Sequence, residues 1–192
     1  VTATRGERAL GDVPNTVDII DREQLDDRLI RNIKDLARYE PGVSVSSGFG
    51  RFTSASGFRI RGLDGNRVLI ETDGITVSDN FSFGSDLNTN RDQVDLDTLK
   101  RVEIVRGPAS SLYGSDALGG VVAFVTKDPA DYLKLTGNDT HVGLKFGYTS
   151  ASDEAMGTLT LANRTGIVES MLVYTRRDGS ETESWYDDTL IE

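Results

Sequence analysis

Residues Arg101 to Lys127 read RVEIVRGPASSLYGSDALGGVVAFVTK. Arg101 to Arg106 interleaves charged and β-branched residues, as a half-buried strand does. Pro108 to Tyr113 reads as a short helix with proline in its first turn. Val121 to Lys127 reads as a second strand, rich in valine. Between these elements stand Gly107, Gly114 and the pair Gly119-Gly120, each a place where the chain turns tightly. A phosphate cradle is excluded here. No Lys-Ser or Lys-Thr follows the glycines, and the helix comes before them rather than after.

Working outward, Val13 to Ile20 is a strand-like apolar run, and Asp21 with Gln24 three residues on matches a capping-box start. Leu25, Leu29, Ile33 and Leu36 follow at helical spacing, with Asn32 as a second N-cap and Pro41-Gly42 as the stop. Val43 to Ala55 is rich in Gly and Ser, a loop or loose strand. Phe58 to Gly62 (FRIRG) alternates, and Arg67 to Ile70 runs towards the turn residues Asp73-Gly74. Residues 76–95 read as one long polar surface loop with Phe81 and Phe83 embedded, and Leu96 to Leu99 as a helical turn.

After Asp128-Pro129 the texture changes. His141 to Tyr148 alternates, with Val142, Leu144, Phe146 and Tyr148 on one face. Gly157 to Asn163 and Val168 to Arg176 are two further strands, joined by short turns. Strands with one apolar and one small or polar face suit a membrane-spanning barrel. An ordinary antiparallel meander has the same pattern.

Composition narrows the function classes. A net charge of −10 argues against a nucleic-acid partner. With no cysteine and one histidine, disulfide frameworks and the usual zinc spacings fail. No apolar run is long enough for a transmembrane helix, and Val1 to Arg5 has no signal-peptide core. Asp86, Asn88, Asn90, Asp92 and Asp97 fall near calcium-loop spacing, but Arg91 stands where the sharp turn needs glycine. A solvated polar loop is the expectation there, and no metal site is expected. His141 opens a strand, no G-x-S-x-G elbow is present, and nothing supports an enzyme.

Taken together, these segments resemble one family, the TonB-dependent outer-membrane receptors. Asp12 to Leu25, Asp35-Leu36 and Pro41 to Val43 are similar to the opening of their plug domain. Phe58 to Gly62 and Asn66 to Gly74 are similar to its central sheet, and Leu99 to Gly120 to its closing block. Gly119 to Leu133, with Ala123-Phe124 where many siderophore receptors have Asn-Ile, resembles the heme and hemoglobin receptor branch, as does Ile60 to Val68. The resemblance implies an α+β plug with a small mixed sheet over residues 1–130. Residues 131–192 would then begin a transmembrane β-barrel left incomplete in this chain, which would be a fragment of a larger receptor.

The resemblance also implies roles. Val1, Thr2 and Ala3 would be the tail of a TonB box, which pairs by strand addition with the TonB energy-transducing complex on the periplasmic side. Arg59, Arg61, Arg101 and Arg106 would pair with carboxylates of the barrel wall, and Glu103 with wall or plug cations. Salt bridges within the plug are an equal alternative for each arginine. Gly62, Gly74, Gly107, Gly114, Gly119 and Gly120 would be the plug's turn glycines. The plug would gate energy-driven uptake of an iron source across the outer membrane, its lipid surrounding the barrel. The expected cargo is heme, from hemoglobin or another host carrier, as a transported ligand and not a required cofactor. The loop from Ser78 to Asn90 would face it, with Phe81 and Phe83 stacking on porphyrin or anchoring the loop. Residues 1–130 hold no histidine to ligate the iron, so no heme ligand is named. Two alternatives stay open: a siderophore or vitamin receptor of the same family, and a soluble secreted β-rich binding protein.

Overall fold

The computed structural model describes residues 16–47, 55–79, 81–83, 87–88, 91, 94–150 and 152–180. The chain divides into two compact units between Lys127 and Asp128.

In chain order the first unit contains β1 (Thr16–Asp21), α1 (Arg22–Asp27), α2 (Ile33–Arg38), β2 (Val43–Ser47), β3 (Ala55–Ile60), β4 (Val68–Thr72) and β5 (Ile75–Thr76). Then come β6 (Ser82–Phe83), β7 (Leu87–Asn88), β8 (Leu99–Arg106), α3 (Ser110–Tyr113) and β9 (Gly120–Thr126). The main sheet runs β1-β8-β9-β4-β5. Only β4 and β9 are parallel, so the sheet is mixed, as expected.

Local chemistry explains the helices. The Asp21 carboxylate accepts the Gln24 N–H at 2.8 Å while the Gln24 side chain accepts the Asp21 N–H, closing the capping box. Asn32 Oδ1 accepts the Asp35 N–H at 2.9 Å and starts α2. Both helices turn Leu25, Ile33, Leu36 and Ala37 onto one face of the sheet, against Ile20, Val102, Ile104, Val122, Phe124, Val68 and Ile70. Phe58 and Phe124 meet there with ring centroids 6.2 Å apart. The other face is smaller. Leu69, Val105, Val121 and Ala123 lie beneath Ala109, Tyr113 and Ala117.

Three local expectations need correction. Residues 76–95 are not one loop. Ile75–Thr76 pairs with β4, and β6 pairs with β7. Gly84-Ser85-Asp86 is turn composition between two short strand segments, which a reading by polarity alone passes over. Val43–Ser47 is a true strand, paired with β3 and irregular only at Ser46/Ser47. Pro108 precedes α3 rather than sitting in its first turn, because the Ala109 N–H is spent on the Ala117 carbonyl.

The second unit holds β10 (Asp139–Thr149), β11 (Glu154–Thr165) and β12 (Val168–Asp178), joined antiparallel in that order. Val142, Leu161 and Leu172 form one apolar rung across the three strands, and Leu144, Leu159 and Tyr174 the next. On this face Val142, Leu144, Phe146 and Tyr148 are all exposed. The opposite face carries His141, Gly143, Lys145, Thr158, Thr160 and Thr175, with the Thr158 and Thr175 hydroxyls 3.1 Å apart. Tyr132 stacks on His141 there, with ring centroids 4.7 Å apart. The three strands form an open sheet, not a closed barrel.

The closest backbone approach in the first unit is at Gly120, where a Cβ would stand 2.2 Å from the Val105 carbonyl oxygen and 2.9 Å from Ile60 Cδ1. Val105 belongs to the strand paired with β9, so relief would require parting the two central strands. Gly120→Ala is therefore expected to cost more than about 3 kcal/mol. Denaturant unfolding of the purified protein measures this, with Gly114→Ala, which meets nothing within 4 Å, as the milder comparison.

Candidate functional site

Strand β8 delivers Arg106 to the end of the sheet at which β9 and β4 begin. Asp18 on the edge strand β1 pairs in register with Ile104, which puts it diagonally beside Arg106 on the same face. Arg106 Nε lies 2.7 Å from Asp18 Oδ2 and Nη2 2.8 Å from Glu40 Oε2, while Nη1 donates to the Pro41 carbonyl at 2.7 Å. The Asp18 contact is a charge contact without hydrogen-bond alignment, since neither Arg106 Nε nor Asp18 Oδ2 has a hydrogen-bond partner. Arg28 adds a second cation, 3.5 Å from Glu40 Oε1 and lying over the Tyr39 ring at 5.3 Å. One guanidinium thus joins the edge strand, the end of α2 and the central strand.

Next to it lies the turn from Arg61 to Arg67. Arg61 has φ +50° and its N–H donates to the Gly42 carbonyl. Its side chain makes no ion pair among the described residues and passes 3.5 Å from where a Cβ on Gly107 would stand. Gly119 donates to the Arg67 carbonyl at 2.7 Å, and its own carbonyl accepts the Gly107 N–H. Arg59 holds Asp64 by two hydrogen bonds, at 2.7 and 3.1 Å. Those bonds hold the Asp64 carboxyl below its ordinary pKa, against a small opposing effect of burial.

The expected site residues therefore separate into groups. Arg61, Arg106, Gly107, Gly119 and Gly120 meet at one end of the sheet, with Gly62 (φ +86°) in the adjoining turn and Gly114 (φ +87°) closing α3. Arg101 and Glu103 are on the opposite face, where Arg101 Nε reaches Glu103 Oε1 at 2.7 Å and Glu103 is fully buried between Ile19 and Ala123. Gly74 is at the far end, in the turn whose Asp73 carboxylate accepts both the backbone N–H and the hydroxyl of Thr126. Phe81 is 62% exposed. Phe83 belongs to β6, and Val1, Thr2 and Ala3 lie outside the described residues.

Of the arginines expected at the barrel wall, Arg59, Arg101 and Arg106 have partners inside the first unit. Sequence reasoning missed those partners of Arg106, Asp18 and Glu40. It also missed Arg91, a cation only 3% exposed. The one hint for Asp18 is its charge inside the apolar run VDII.

Residues 9–121 match the family model described as the TonB-dependent receptor plug domain. A probable hemoglobin and hemoglobin-haptoglobin-binding protein of Haemophilus influenzae is 38% identical over 84% of this chain, which covers 17% of that protein. Transferrin-binding protein A of Neisseria meningitidis is 34% identical over 93% of the chain and 20% of its own length. Among solved structures, the Serratia marcescens hemophore receptor HasR, in complex with its hemophore and heme, superposes with a TM-score of 0.70. Its identity is 25%, over 85% of this chain and 24% of the receptor. The chain thus spans about a fifth of the length of the curated relatives it matches. These named relatives are binding proteins and receptors.

Two outcomes are expected at this site. Arg106→Ala leaves Asp18 and Glu40 without their shared cation and should destabilise the first unit by on the order of 2–3 kcal/mol. That lies below the range for a fully buried network because Asp18 reaches water. Adding Glu40→Gln should recover part of the loss, read by a double-mutant cycle of unfolding free energies. For Asp64, whose folded pKa is depressed, the Arg59 bond stabilises the fold fully above the unfolded carboxylate pKa of about 3.9. That contribution disappears as pH falls through the folded value. An NMR titration should place the Asp64 midpoint below the ordinary one, and Arg59→Gln should return it.

Proposed function

The chain belongs to the TonB-dependent receptor plug family, and from that premise we propose that it gates an outer-membrane receptor for heme taken from a host carrier. The observation that carries the cargo is the similarity to hemoglobin-binding relatives over most of the chain, together with the fold shared with a heme-bound hemophore receptor. The gate is the first unit. In this reading β10 to β12 are barrel strands whose face bearing Val142, Leu144, Phe146 and Tyr148 meets lipid. Val1, Thr2 and Ala3 face the periplasm and continue the segment that TonB pairs with by strand addition.

The site geometry supplies a division of labour. Arg61 is exposed and without an ion pair among the described residues, so it is the arginine best placed for a barrel-wall carboxylate. Arg59, Arg101 and Arg106 already hold internal partners, and Glu103 sits behind Arg101. For these residues a wall contact would mean exchanging one partner for another as the plug moves. Phe81 offers an exposed aromatic ring at the start of the segment proposed to face cargo, and Phe83 follows two residues later.

The test is a titration of the full-length receptor with heme and with hemoglobin, paired with growth on each as sole iron source. The expected results are a Soret change on heme addition and growth that depends on TonB. Absence of both, with growth on ferric transferrin or a ferric siderophore instead, would leave the plug role standing and reject heme as cargo.

A further inference from the structure

Arg91 is the least explained charge in the first unit. It is 3% exposed, yet its guanidinium makes one long hydrogen bond, Nη1 to the Gly65 carbonyl at 3.3 Å, and Nε has no partner at all. The slot it fills lies beside Gly57, where an added Cβ would stand 3.7 Å from Arg91 Nη1. Burial pushes its pKa down, and the carboxylates of Asp79 and Asp116 push it back up. Those carboxylates come from two different places. Asp116 follows α3 in the block that ends at Gly120, and Asp79 stands two residues before the exposed ring of Phe81.

A buried cation held this loosely is a poor choice for stability alone. An apolar side chain of similar volume commonly does as well or better. What the charge supplies is attachment between segments with no other reason to meet: the stretch bearing Asp79 and Phe81, the turn at Gly65, strand β3 at Gly57 and the Asp116 turn.

We propose that Arg91 is a positioning residue for cargo recognition, mooring the stretch of Asp79 and Phe81 against the turns at Gly65 and Asp116. This rests on the cargo-facing role given above to that stretch. Arg91 touches no cargo itself. It raises the fraction of molecules in which Phe81 is correctly presented, and a stretch so presented a tenth as often binds about ten times more weakly.

The experiment uses the full-length receptor with Arg91→Met, Arg91→Lys and Asp79→Asn, read by amide hydrogen exchange, thermal midpoint and heme affinity. Arg91→Met should speed exchange at Val77 to Asp79 and weaken heme binding by about tenfold without lowering the thermal midpoint. Arg91→Lys, which keeps the charge and a donor for the Gly65 carbonyl, should restore most of both, and Asp79→Asn should reproduce the loss in part. Unchanged exchange in Arg91→Met overturns the mooring. Faster exchange with unchanged heme affinity, or an affinity loss that merely follows a lower thermal midpoint, overturns the positioning role. If the unaltered receptor binds no heme, the cargo reading fails by itself, and the exchange data still decide whether Arg91 moors the stretch.

Discussion

Everything in the first unit hangs on the pairing of β8 with β9. These central strands contribute to both cores, Val102, Ile104, Val122 and Phe124 to the helix-covered face and Val105, Val121 and Ala123 to the other. Their approach is tightest where Gly120 faces Arg106, with the Val105 carbonyl against the Gly120 α-carbon. A side chain at that point would separate the strands and loosen two hydrophobic layers together. The same approach places Gly119 under Leu63 and Val68, which sets the Arg61 to Arg67 turn beside Arg106. The functional end of the sheet is thus a consequence of how closely two backbones meet.

The charges at that end specify more than they stabilise. Arg106 meets two carboxylates from distant parts of the chain, and neither Asp18 Oδ2 nor Arg106 Nε is satisfied by a hydrogen bond. Desolvation offsets much of the attraction in such a network. Its value lies in fixing which strand occupies the sheet edge, since a one-residue slip of β1 would carry Asp18 to the other face.

Elements governed by near neighbours were readable in advance. Asp21 with Gln24, and Asn32 with Asp35, are caps whose partners lie three residues away. Asp73-Gly74 announces its turn because both residues adopt positive φ, which Asp and Gly tolerate better than most. What stayed hidden depends on distant partners. Nothing local in Gly120 to Thr126 says that it lies between β8 and β4, parallel to one and antiparallel to the other. Arg91 was read as one more polar residue in a solvated stretch, because isolated arginines usually are exposed. Its burial follows from the slot between Gly57 and Gly65, segments 26 or more positions earlier in the chain. The barrel-facing roles of the arginines came from family likeness rather than local chemistry.

The edge position of β1 also has a mechanical meaning. Six residue pairs join it to β8, and the pair nearest the chain's beginning is Thr16 with Arg106. A pull on the chain ahead of Thr16 directed across the sheet would break these pairs one after another, starting beside the Arg106 guanidinium. The same pull directed along the strand would load all six together and meet far greater resistance. The fold therefore makes the yield of this strand depend on the direction of force as well as on its size.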